Sequence, residues 1–333
     1  MRLTSLTLAA CLAAAPALAD EVNVYSYRQP ELIQPLFDAF TAETGIKVNV
    51  AFVDKGMSER LKAEGRRSPA DLAFTTDIGR LDALKSAGVL APLETETLSA
   101  NVPAQYRDPE GEWVALSTRA RVVYASKDRV AAGEVTTYED LADPKWKGRI
   151  CTRSGTHVYM LALTAGMIEQ HGEDYARTWL EGVKANLARK PQGNDRAQVK
   201  AIWAGECDIS LGNTYYMALM LKNEEQQAWA DSVNIVFPTF EDGGTHVNVS
   251  GAALTKAAPH REAAIQLLEF LTGAEGQRIY AEINNEYPVN PNVSALEVVE
   301  AFGEFTADDA NLQTIADFRD EALRLTEEVD FDG

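Results

Sequence analysis

Val22-Asn23-Val24-Tyr25 alternates, Leu32, Ile33, Leu36, Phe37 and Phe40 recur at helical spacing, Gly45 follows, and Ile46 to Val53 returns as an extended run. Alternation predicts a strand, the three-to-four spacing a helix, and the glycine its stop. The pattern continues in Ala70-Asp71-Leu72-Ala73-Phe74, a short strand, and in a helix from Ile78 to Ala87 that stops at Gly88. Strands that alternate with helices predict α/β layering with mostly parallel sheets.

A second unit of the same kind starts after Trp113. Val114 to Tyr124 is a long extended stretch, Tyr138-Glu139-Asp140-Leu141 opens a short helix, and Gly148 to Thr152 is a strand. Helices are expected over 157–170, 175–186 and 197–204. Cys207 to Leu211 is a strand that runs into Gly212-Asn213-Thr214-Tyr215-Tyr216, Val233 to Phe237 is extended, and Ala263 to Leu271 is an apolar helix. The sequence has no repeat, low-complexity tract or long linker. Extended crossings near Ser117–Val122 and Val236–Phe240 join the units. They divide the chain into a discontinuous first lobe, 20–118 with 239–333, and a second lobe, 119–238.

The N-terminus carries an export pattern. Met1-Arg2 is positive, Leu3 to Ala15 is apolar apart from Ser and Thr, and Ala17-Leu18-Ala19 has the small-x-small form of a signal-peptidase site. Leu8-Ala9-Ala10-Cys11 resembles a lipid-attachment box, but it leaves only a handful of apolar residues before the cysteine. Cleavage after residue 19 leaves 333 − 19 = 314 residues, enough for two cores. No segment approaches the roughly 20 apolar residues of a membrane span. With a net charge of −19 and no concentrated basic run, nucleic acid is excluded as a partner. Cys151 and Cys207 remain after cleavage; an oxidising compartment favours a disulfide, while spacing alone leaves buried thiols open. There is no Gly-x-Ser-x-Gly elbow, P-loop or His-Glu-x-x-His helix, so no enzyme class is indicated. His157, His171, His246 and His260 show no zinc spacing, and the carboxylates show no EF-hand pattern.

Two phrases carry a resemblance. Tyr138-Glu139-Asp140-Leu141-Ala142-Asp143-Pro144-Lys145-Trp146-Lys147-Gly148-Arg149 and Glu269-Phe270-Leu271 … Glu286-Tyr287-Pro288-Val289-Asn290-Pro291 are similar to bacterial extracellular solute-binding proteins. The resemblance implies the two-lobed type II fold, hinged around a cleft. It also implies a monomer in the periplasm and an ABC transporter permease in the inner membrane as partner. Asn213-Thr214-Tyr215-Tyr216 resembles the ferric-iron-binding branch, whose paired tyrosines ligate the metal, and Tyr159 in Gly155-Thr156-His157-Val158-Tyr159 matches the third tyrosine. The cargo implied is Fe3+, held with a synergistic anion such as carbonate or citrate.

The chemistry of these residue types agrees. Fe3+ is a hard cation that prefers anionic oxygen. A phenol with a free pKa of about 10 is neutral at physiological pH unless a strong Lewis acid displaces its proton. Out of context, Tyr215 and Tyr216 read as aromatic packing. Adjacent residues, however, cannot both point into one core, and the end of a strand is where sites sit. Arg119 and Arg121, two apart on a strand, share a face; the resemblance places one arginine here to hold the anion, and either fits. Ser154-Gly155-Thr156 offers backbone N–H groups to an anion or serves as a helix cap, and both readings stand. Asn194 and Asn213 resemble groups that orient the ligands. The chain departs from its relatives at Ser26-Tyr27-Arg28-Gln29-Pro30, where Gln29 and Pro30 replace a His-Tyr ligand pair. Tyr27 is the candidate substitute, or it packs. The second lobe is therefore expected to supply most of the metal shell. The alternative cargo is an organic cation, an organophosphonate or another oxyanion.

Overall fold

The computed structural model describes residues 21–333, so the export signal at 1–19 and the Leu8–Cys11 box lie outside the described residues. The strands are β1 (Glu21–Ser26), β2 (Lys47–Phe52), β3 (Leu72–Thr75), β4 (Leu90–Ala91), β5 (Val114–Ser126), β6 (Ile150–Cys151), β7 (Ile209–Asn213), β8 (Val233–Val236), β9 (Val247–Thr255) and β10 (Tyr287–Pro288). The helices are α1 (Gln34–Thr44), α2 (Met57–Glu64), α3 (Ile78–Ser86), α4 (Glu96–Asn101), α5 (Val158–His171), α6 (Glu173–Ala185), α7 (Asp195–Trp203), α8 (Thr214–Leu221) and α9 (Gln227–Ala230). After β9 come α10 (Arg261–Thr272), α11 (Ala274–Asn284), α12 (Glu297–Glu300), α13 (Leu312–Asp317) and α14 (Arg319–Glu328).

The opening β1-α1-β2 unit forms as its pattern requires. Gly45 ends α1 in the left-handed region at φ 76°, its N–H bonded to the Thr41 carbonyl. β1 then pairs parallel with β2 and β3. The sheet as a whole is mixed rather than mostly parallel. Its path runs β2-β1-β3-β9-β5-β7-β6, and β5 and β9 pair antiparallel with each other and with their neighbours β3 and β7. The reason is topological: β5 carries the chain out of the first half of the sheet and β9 brings it back, so the two must run in opposite directions.

All thirteen residues of β5 are buried. Its partner changes midway, from β9 up to Ala120 to β7 from Arg121 onward. β9 joins this pairing from Val247, opposite Ala120. Before it, residues 237–246 are tied to Thr137 and Tyr138 by a Thr137–Thr239 bridge, the Tyr138 N–H on the Thr239 carbonyl at 3.0 Å, and the His246 N–H on the Tyr138 hydroxyl at 3.0 Å.

Helices cover the sheet. α6 buries Ala176, Trp179, Leu180 and Val183, one stripe at helical spacing, and the Trp179 indole N–H donates to the Tyr138 carbonyl at 2.8 Å. Cutting such a tryptophan to alanine costs about 3–5 kcal/mol. The final helix, α14, packs on α5 and α6 in the second half, with Arg177 and Glu328 paired at 2.6 Å. Cys151 and Cys207 form a disulfide with Cα atoms 5.8 Å apart, which joins the end of β6 to the entry of its neighbour β7. Among the described residues no helix is long and apolar enough to cross a membrane.

Candidate metal centre

Both tyrosine segments lie in the first turn of a helix. His157 caps α5, its Nδ1 accepting the Tyr159 N–H at 3.2 Å. Burial, then Arg153, Arg121 and Arg80, push the His157 pKa down to about 3, which keeps the ring neutral and that acceptor available. α5 is buried from Met160 to Ile168, whereas Tyr159 is half-buried and lines a cleft. β7 ends at Asn213 and passes directly into α8, so Tyr215 and Tyr216 project from the strand end.

The cleft encloses about 240 Å³. Tyr27, Arg28, Gln29, Arg119 and Glu286 line it from the first half of the sheet, facing Tyr159 and Tyr215 of the second. The Tyr159 and Tyr215 hydroxyl oxygens are 3.1 Å apart. The Tyr216 ring lies against Tyr215, centroids 4.2 Å apart and planes inclined by 34°, and the Arg196 guanidinium lies 5.6 Å from the Tyr216 centroid. Tyr216 itself does not line the cleft.

Three guanidiniums surround Tyr159, with the Cζ atoms of Arg119, Arg121 and Arg153 at 5.8, 5.9 and 5.1 Å from its ring centroid. Arg121 and Arg153 converge on the fully buried Asp195 at 3.1 and 2.9 Å. The same carboxylate accepts the Asn213 N–H at 3.0 Å, which fastens the entry to the tyrosine pair. Arg119 instead donates to Ser250 Oγ at 3.1 Å and to the Thr76 carbonyl, and its buried Nε has no partner among the described residues. Burial holds the Tyr215 phenol well above its ordinary pKa, and the charges of Tyr159 and Tyr216 add to this. Tyr216 is raised by burial, Tyr159 and Asp195. With no cation present these phenols keep their protons.

The remaining expected residues take different places. Of the two arginines, Arg119 lines the cleft, and Arg121 pairs with Asp195 and donates to Asn213 Oδ1 at 3.2 Å. Asn213 thus orients Arg121. Asn194 is exposed and caps α7, accepting the Ala197 N–H at 3.1 Å, away from the tyrosines. The Ser154-Gly155 donors are occupied by Asp332, which takes the Gly155 N–H at 2.7 Å and the Ser154 hydroxyl at 2.5 Å. Tyr27 reaches the cleft, but its hydroxyl accepts the Met57 N–H at 2.9 Å. Gln29 is exposed at the mouth.

Sequence reasoning missed the charges behind the cleft. Arg28 pairs with buried Glu286 at 2.9 Å and donates to Ser250 at 2.5 Å. Burial alone would raise the Glu286 carboxyl, yet Arg28 and Arg119 outweigh it and hold the group below its ordinary range. Arg28 stands inside the departing Ser26–Pro30 stretch and Glu286 inside a quoted family phrase, but nothing local marks either as buried. The one carboxylate cluster with ligand-like spacing among the described residues, Asp108, Glu110 and Glu112, does not line the cleft and is held by Lys85.

Known proteins place this architecture. Residues 68–302 match the family described as bacterial extracellular solute-binding protein. The chain is 42% identical over 322 residues to iron uptake protein A1 of Synechocystis, covering 96% of this chain and 89% of that one. It superimposes on ferric iron-binding protein A of Mannheimia haemolytica in an open conformation with a TM-score of 0.91 and 47% identity, covering 95% of this chain and 100% of that one. A Trichodesmium protein in complex with iron and citrate gives 0.90 and 44%, over 93% of this chain and 99% of that one.

Proposed function

The chain belongs to the bacterial extracellular solute-binding proteins, in their ferric iron-binding group, and from that premise we propose that it binds Fe3+ through tyrosinate oxygens in the periplasm and delivers it to an ABC transporter permease. Members of this family bind a solute and release it unchanged; the chain is a binding protein and not an enzyme. The observation that carries the ligand assignment is the 3.1 Å separation of the Tyr159 and Tyr215 oxygens. Six oxygens around an ion at about 2.1 Å lie about 3 Å apart along each edge of the octahedron. Tyr216, adjacent to Tyr215, is the third ligand on the strength of the paired-tyrosine resemblance, since its ring does not line the cleft. Three phenolates balance the 3+ charge.

Arg119 lines the same cleft beside Tyr159, which supports an anion such as citrate or carbonate in the open metal positions. Tyr27 is a weaker candidate for those positions because its hydroxyl already holds Met57. In this reading residues 121–246, joined by α14 packed on α5 and α6, form the lobe that carries the ligands. The rest of the chain forms the lobe that closes over them, and β5 and β9 form the hinge.

Saturation with ferric citrate should give a broad visible phenolate-to-iron band that a strong chelator removes. Tyr159→Phe and Tyr215→Phe should each weaken binding by more than about a hundredfold, beyond the cost of losing an orienting partner. A colourless protein without iron by elemental analysis refutes the ferric reading, and an organophosphonate bound in its place would establish the alternative.

A further inference from the structure

The loop that leads into Tyr159 is fastened by a carboxylate from the other end of the sequence. Asp332 Oδ1 accepts the Gly155 N–H at 2.7 Å and its Oδ2 accepts the Ser154 hydroxyl at 2.5 Å. Ser154 Oγ in turn accepts the Thr156 N–H at 3.2 Å. These are the donors that would otherwise suit an external anion, and the chain fills them from within. The carboxylate is held in place by its surroundings. Phe331 is 1% exposed and packs so closely on Gly155 that a Cβ there would lie 2.6 Å from the ring. Lys184 donates to the Val329 carbonyl at 2.9 Å, and Lys190 to the Gly333 carbonyl at 2.7 Å.

A continuous path of bonds runs from this contact to the metal site. The Ser154–Thr156 loop leads directly to His157, which caps α5 and holds the Tyr159 N–H. The Tyr159 hydroxyl then meets Tyr215 at 3.1 Å. The disulfide at Cys151 anchors the other end of the same loop. We propose that Asp332 is an intramolecular anion that positions Tyr159 for metal capture, occupying the loop donors so that an external anion engages Arg119 instead. This rests on the ferric reading above.

The test compares the full chain with Asp332→Ala and Asp332→Asn, measuring ferric affinity by citrate competition, the visible band, and Tm. Both variants should bind ferric iron about tenfold or more weakly, the loss expected for hydrogen bonds to a charged group, with a displaced visible band. In Asp332→Ala, added formate should restore part of both, while the unmodified protein ignores formate. Asp332→Asn keeps the side-chain volume and serves if the alanine variant folds poorly. An unchanged affinity and band in both variants, whatever happens to Tm, overturns the proposal. A loss in Asp332→Ala that formate does not relieve also overturns it, because the side chain would then act by packing and not by charge. Absence of a visible band in the unmodified protein fails the ferric reading itself, a separate outcome.

Discussion

Asp195→Asn should lower stability and, at the same time, make the site tyrosines easier to ionise. Asp195 is fully buried, and its two oxygens hold Arg153 at 2.9 Å, Arg121 at 3.1 Å and the Asn213 N–H at 3.0 Å. The substitution keeps the shape and removes the charge, which leaves two buried guanidiniums without a counter-ion. Breaking a buried pair of this kind costs about 3–5 kcal/mol. At roughly 2–4 °C per kcal/mol, Tm should fall by on the order of 10 °C. The second effect has the opposite sign. The Asp195 charge contributes to the raised pKa of both Tyr215 and Tyr216, so its removal should bring their alkaline titration to lower pH. Calorimetry reads the first effect and ultraviolet difference titration of the metal-free protein reads the second. A Tm change below about 2 °C, or a tyrosine titration that moves upward, would refute the role assigned to this carboxylate.

Ferric affinity should fall on acidification. Tyr215 and Tyr216 are held above the ordinary phenol range and carry protons that the metal must displace, so affinity should change roughly tenfold per pH unit for each proton released. A citrate competition series across pH checks this, and a flat profile excludes phenol ligation. The non-reduced unfolded protein should show no titratable thiol from Cys151 or Cys207. Reduction should cost about 4 kcal/mol by chain entropy for a bridge of sequence separation 56, read as a lower denaturant midpoint.

Much of this was legible locally. The β1-α1-β2 unit follows from alternation, helical spacing and one glycine, because each signal acts over a few residues. The tyrosine segments were legible because a resemblance supplied their context. Strand direction was not: the residues of β5 read the same whether their neighbours run with them or against them, and only the return through β9 decides it. Arg119 and Arg121 show the same limit. They share a face, and what separates their roles is that Thr76 and Ser250 receive one while Asp195 receives the other. Ser154-Gly155 looked open to an external anion because its partner, Asp332, stands 178 residues away. Glu286 could not be read as a buried charge without Arg28, 258 residues before it.

The partner change along β5 also bears on how the protein comes to be folded. Every strand that pairs with β5 in the sheet lies later in the sequence: β7, β8, β9 and β10. During synthesis this buried segment, which carries Arg119 and Arg121, emerges well before anything that can cover it. Unpaired strand edges of this kind are sticky, and ladders closed over such long separations form slowly. The newly made chain therefore spends a period with its central strand open to pairing with other copies. The last of these partners, Tyr287 and Pro288 on Thr118 and Ser117, stands about 160 residues beyond β5, so the vulnerable interval outlasts most of the chain.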